Sequence, residues 1–111
     1  MRTVFVDPGA LRWEFSLQAP DTARDELGGA VEGWTEVATV FGLLEPVSQI
    51  TPFGADQPME LHTHRITLRH RPDIGRGMRM SRGGRNFDVV SVSDPDESGR
   101  YLVCRVVEQK P

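Results

Sequence analysis

Three histidines, one cysteine, a set of aspartates and a dense run of arginines are the residues in this chain with reactive chemistry. His62 and His64 fall on one face of an extended segment. Glu60 lengthens the pair into an i, i+2, i+4 row of imidazole and carboxylate that suits zinc. Such a site still needs a further ligand, and no distant ligand pattern completes it. The pair therefore reads as partly buried or interfacial histidines. Asp88, Asp94 and Asp96 raise a carboxylate dyad for acid or base work. A dyad needs a cleft that separates two pKa values, whereas Asp94-Pro95-Asp96 has the composition of a solvated turn that caps backbone amides. Cys104 lies in an apolar run without an adjacent base and reads as a small buried hydrophobe. Gly28-Gly29 and Gly83-Gly84 suit hairpins, and no Gly-x-Gly-x-x-Gly follows a strand. No catalytic residue, cofactor or metal is expected, and the chain does not read as an enzyme.

The arginines carry more information. Arg65, Arg69, Arg71, Arg76, Arg79, Arg82 and Arg85 could contact phosphates, or form forks with carboxylates offered by an identical neighbour. Aromatic residues do not interleave with them over residues 61–85, so stacking on single-stranded bases is weak, while proximity to duplex DNA stays open. Residues 1–60 hold three arginines against ten carboxylates, whereas residues 61–111 hold ten basic residues against six carboxylates. That split would let an acidic surface of one copy face a basic surface of the next, unless folding mixes the two halves evenly.

These groups must be positioned by a chain of 111 residues and 12.4 kDa, enough for one core and too small for two. With one cysteine no intrachain disulfide is possible, so apolar burial or neighbouring subunits must supply stability, and a reducing compartment fits best. No apolar leader follows Met1-Arg2 and no window approaches a membrane span, so no membrane partner is expected.

Asp7-Pro8-Gly9-Ala10 is a turn. Alternation then places Leu11, Trp13, Phe15 and Leu17 inside against Arg12, Glu14, Ser16 and Gln18, with Pro20 predicted to end the ladder. Strand character returns over 35–45 with apolar residues on both parities, which predicts cover on both faces. From residue 61, Ile66, Leu68, His64 and His70 face inward against Thr63, Arg65, Thr67, Arg69 and Arg71. Short strands follow at 78–81, 86–92 and 100–107, joined by turns at 72–75, 82–85 and 94–99. The fold class is all-β: a small antiparallel barrel or sandwich of about six strands, in one domain over 1–111, with projecting segments at 20–34 and 47–60. The candidate core is Leu11, Trp13, Phe15, Leu17, Trp34, Phe41, Ile66, Leu68, Phe87, Val89, Tyr101 and Val103. Two long loops without a compact catalytic set predict a docking surface.

Several fragments resemble one family in order and spacing. They are Gly9-x-Leu11-Arg12, Phe15-x-Leu17-Gln18, Asp25-x-x-Gly28-Gly29, Trp34-x-x-Val37-Ala38-x-Val40 and Glu45-Pro46. Further along come Thr63-His64-Arg65-Ile66-Thr67-Leu68-Arg69, Asp73-Ile74 with Met78-Arg79, Gly83-x-x-x-Phe87-Asp88-Val89 and Asp94-Pro95-Asp96-Glu97-x-Gly99-Arg100-Tyr101-Leu102. Over residues 7–108 the chain is similar to the phage head-tail joining proteins, which also serve prophages and gene transfer agents. It departs from them at Phe41-Gly42, where Trp-Ala is common, and at 47–60, where Pro52, Gly54 and Pro58 replace a helix-prone run.

The resemblance implies a virion protein of the head-tail neck, present in the bacterial host cytoplasm before assembly. It implies a six- or twelve-fold homo-oligomeric ring, a portal-associated adaptor above, a tail terminator or tail tube protein below, and packaged double-stranded DNA in a channel the ring helps close. The candidate interface or channel residues are then Arg65, Arg69, Arg71, Arg79, Arg82, Arg85, Asp25, Glu45, Gln49, Asp56 and Glu60. A DNA-binding barrel without sequence readout is the alternative, and a small metal-dependent hydrolase the remote one.

Overall fold

The computed structural model describes residues 6–24, 30–47 and 62–109. Six strands follow a short 3-10 turn at Pro8–Ala10: β1 (Trp13–Arg24), β2 (Ala30–Pro46), β3 (His64–Arg69), β4 (Arg79–Arg82), β5 (Arg85–Ser93) and β6 (Tyr101–Gln109). They close into an antiparallel barrel in the order β1-β2-β3-β6-β5-β4. The closing pair is β1 with β4, registered by Ser16 with Ser81, Leu17 with Met80 and Gln18 with Arg79. Closure gives the barrel strands two neighbours each and removes the free edges that a sandwich would keep.

Alternation fills the interior. Phe15, Leu17, Val40, Ile66, Leu68, Met80, Phe87, Val89, Cys104 and Val106 form one buried cluster. Phe15 and Phe87 meet edge to face with centroids 6.1 Å apart. Truncating either ring to alanine removes transfer energy and leaves a cavity, at a cost of about 3–5 kcal/mol. Gly42 is needed for a steric reason: a Cβ there would lie 2.8 Å from the Thr67 carbonyl oxygen and 2.9 Å from Ile66 Cγ2. The β2–β3 backbones approach too closely at this point for a side chain.

Several expectations are corrected. Trp13, Trp34 and Phe41, assigned to the core, are 37%, 41% and 51% exposed. Trp13 begins β1 at the barrel's end, Trp34 sits where the β1–β2 pair leaves the barrel, and Phe41 points outward because Val40 and Gly42 take the inward parity. Tyr101 and Val103 are half-buried, whereas Leu102 and Cys104 occupy the interior; the phase of β6 is shifted by one residue from the expected one. Thr67, placed outward, is buried, and His70, placed inward, is exposed.

Pro20 does not stop β1. It pairs with Trp34 in a hairpin that continues to Arg24 and Ala30, beyond the last residue paired to β4. Among the described residues β1 has a neighbour on one side only there, where a residue without an N–H is tolerated. Most of the 20–34 segment is therefore paired strand rather than loop. Residues 25–29 and nearly all of 47–60 lie outside the described residues.

Candidate functional site

Charged and aromatic groups concentrate on three surfaces. At the root of the β1–β2 hairpin, Arg79 Nε and Nη2 donate to Gln18 Oε1 at 3.0 and 2.7 Å. Gln18 Nε2 donates to Ser16 Oγ at 3.1 Å, and Ser16 Oγ donates to Glu36 Oε1 at 2.9 Å. The guanidinium carbon of Arg79 lies 4.2 Å from the Trp34 ring centroid, which fixes an exposed indole by cation-π attraction. One arginine thus ties β4, β1 and β2 together below the hairpin.

The second surface is the barrel end from which residues 47 and 62 lead away. Arg82 stacks 4.6 Å over Trp13 and donates to the Glu14 carbonyl oxygen at 3.3 Å. Arg85 makes a two-pronged contact with Glu108 at 2.7 and 3.0 Å while lying 5.0 Å over Phe87. The hydrogen bond to Glu108 raises the pKa of Arg85 further. His64 Nδ1 is 2.9 Å from Thr63 Oγ1, its Nε2 is 3.9 Å from Glu108 Oε1, and its ring meets Phe87 edge to face at 5.3 Å. Among the described residues no three His, Cys, Asp or Glu side chains converge in metal-ligand geometry, and Glu60 lies outside them. His64 is built into packing between Phe87 and a carboxylate.

The third surface is the outer wall of β2, β3 and β6. Register aligns Glu45, Arg65 and Arg105 in one row across the three strands. Arg65 Nε lies 3.6 Å from Glu45 Oε1, and Arg105 Nη1 donates to Ser93 Oγ at 3.3 Å. A groove of about 730 Å³ runs past them, with Val6, Leu43 and Val103 among its lining residues. On the other side of the Pro8–Leu11 segment, a groove of about 430 Å³ opens between β2 and the end of β3, beside Arg69 and Arg71. Arg71 forks onto Asp73 at 2.9 Å through two nitrogens, and this hydrogen bonding holds the Asp73 carboxyl below the usual carboxylate range. The Arg69 side chain has no hydrogen bond or ion pair among the described residues.

The arginines predicted to act together are thus divided. Arg79 braces the hairpin, Arg82 and Arg85 cap a barrel end, Arg65 lies on the outer wall, and Arg69 and Arg71 flank the smaller groove. Asp25, Gln49, Asp56 and Glu60 lie outside the described residues. Sequence reasoning missed the aromatic partners of the arginines, because Trp13 and Trp34 approach from strands distant in sequence. Arg79 and Gln18, for example, are 61 residues apart.

The Asp94–Asp96 turn caps amides as expected: Asp94 Oδ2 accepts from Gly99 N at 2.7 Å and Asp96 Oδ1 from Ser98 N at 3.1 Å. Asp96 is not solvated, however. It is 5% exposed and bound by Arg100 at 2.9 Å, a pairing that offsets its burial. Cys104 is fully buried, and burial pushes its thiol up to about 12.

The described surfaces thus present charged brackets, an aromatic hairpin root and two grooves. The profile of the phage head completion proteins matches residues 6–109, nearly the whole chain. The chain belongs to the phage head completion protein family. Family membership makes it a structural protein of phage particles, in agreement with the resemblance carried by its motifs. Two solved structures share the fold. A protein from Shigella flexneri 2a, solved in solution, is 25% identical, with a TM-score of 0.67 over 91% of this chain and 96% of that one. A chain in the virion of a native gene transfer agent particle is 23% identical, with a TM-score of 0.64 over 86% of this chain and 92% of that one. No curated protein matches the chain.

Proposed function

We propose that copies of this chain assemble into a six- or twelve-fold ring in the neck of a tailed phage, prophage-derived or gene transfer agent particle. The ring joins the DNA-filled head, through a portal-associated adaptor, to a tail terminator or tail tube protein, and helps close the DNA channel. The family match over residues 6–109 is the observation that carries this reading. The structure in the gene transfer agent virion supports the same setting by its fold.

In this reading the β1–β2 hairpin grips an adjacent subunit and the 47–60 segment points toward the channel or a neighbouring ring. The arginines build the ring first and touch DNA second. Arg71, Arg79 and Arg85 each already direct two of their five N–H donors to Asp73, Gln18 and Glu108 within the same copy, which orients them toward protein groups. Electron microscopy of particles carrying a labelled copy tests the proposal directly: label at the neck with a fixed subunit count supports it, and label in the capsid shell or tail tip defeats it.

A second reading, duplex binding by the barrel alone, draws on Arg65 and Arg69, both exposed. It requires a monomer that binds DNA with a steep salt dependence. A free chain whose DNA affinity is unmeasurable at low salt would exclude it.

A further inference from the structure

We propose that the groove beside Thr39 to Phe41, where β2 runs past the end of β3, is the docking site for the segment that joins β1 to β2, residues 25–29, of a second copy of this chain. The proposal rests on the ring reading and names where its gripping arm lands.

The groove opens because β2 outruns its neighbour. Pairing of β2 with β3 begins at Gly42 opposite Leu68, while pairing with β1 continues back to Ala30. Among the described residues Thr35 to Phe41 therefore ladder with β1 only, and at Thr39 to Phe41 their other edge borders the 430 Å³ groove. The two edges of the hairpin differ. That of β1 carries Pro20, which obstructs strand addition, whereas β2 has no proline from Ala30 to Glu45. The edge left without proline is the one bordered by the groove.

The lining states what would fit. Leu11, Val40 and Leu68 supply an apolar floor, Phe41 stands at the lip half exposed, and Arg69 waits at the rim without a partner among the described residues. Such a site takes an extended segment with one apolar side chain and an adjacent carboxylate. Within this chain Asp25-Glu26-Leu27 has that composition, followed by Gly28 and Gly29, which add no bulk. Reach agrees as well. The paired hairpin runs six residues past the barrel wall, Ala19 to Arg24, or about 20 Å at strand rise. Each copy carries this arm and, between β2 and the end of β3, this groove. Two different surfaces meeting head to tail generate a ring when the rotation closes.

Mixed disulfide trapping on the full chain tests this. Copies carrying Leu27→Cys are mixed with copies carrying Phe41→Cys under mild oxidation while mass is measured over rising concentration. Cys104 does not compete, since its thiol is buried and held protonated. The expected result is a heterodisulfide that accumulates with oligomer. Adding Arg69→Glu to the Phe41→Cys copy should lower its yield roughly tenfold by setting a carboxylate against Asp25 and Glu26. Changing Asp25 and Glu26 to Arg in the Leu27→Cys copy should then restore it. Oligomer without the heterodisulfide overturns the docking site and leaves the ring standing. A chain that stays monomeric and unlinked at every concentration also overturns it, whereas the ring itself is decided by the subunit count in particles.

Discussion

Gly42 and Cys104 show how single side chains are constrained by this barrel. Gly42→Ala would drive a methyl group into the Thr67 carbonyl oxygen and Ile66. We expect a loss of about 1–3 kcal/mol, read as a lower urea midpoint at unchanged slope. Cys104 gives a pH signature. Its folded thiol is pushed from 9.0 to about 12 by burial, so above pH 9 the unfolded chain releases a proton that the folded chain retains. Its contribution to stability is complete below pH 9 and declines as pH rises toward 12. Urea midpoints measured across that interval should fall more steeply in the native chain than in Cys104→Val, and parallel curves would contradict the assignment. The folded thiol should also resist alkylation at pH 8.

Turns and the hairpin arm carry the next set of consequences. Gly83 and Gly84 link β4 to β5 with φ of +54° and +81°, the left-handed pair of a two-residue hairpin. A β-branched side chain is strained there, and Gly84→Val should lower stability by about 1–2 kcal/mol. That turn was readable in Arg82-Gly83-Gly84-Arg85, because glycine is the residue that enters this region of backbone space without penalty. The arm was harder to read, since Pro20 is a strand terminator unless the strand has a free side. Trp34→Ala removes the indole beneath Arg79 and should cost only about 0.5–1 kcal/mol as an exposed cation-π pair. In the ring reading it should depress assembly far more than stability, measured by ring mass and thermal midpoint on the same sample.

Assembly adds the question of charge. Acidic and basic sequence halves do not remain separate: Arg65 of the second faces Glu45 of the first. Part of the sequence asymmetry is therefore neutralised within one copy. Exposed pairs such as Arg65 with Glu45 contribute little to folding, roughly 0–1 kcal/mol, so their replacement leaves the barrel intact and exposes any role between subunits. If the proposed ring forms, neutral residues at Arg65 and Arg69 should weaken its assembly while DNA retention per assembled ring stays close to normal. Unchanged ring mass with lost DNA would reverse the order of the two roles.

The all-β class, the strand count, the Gly83-Gly84 hairpin and the family were legible in residue order, since alternation, turn chemistry and motif spacing are local properties written along the chain. The sequence left barrel and sandwich as alternatives, and the outward turn of Phe41, the phase of β6 and the pairing of Arg79 with Trp34 were not legible in it. Each depends on which strand lies beside which and in what register, and a shift of one residue exchanges the two faces without altering the alternation that marks a strand.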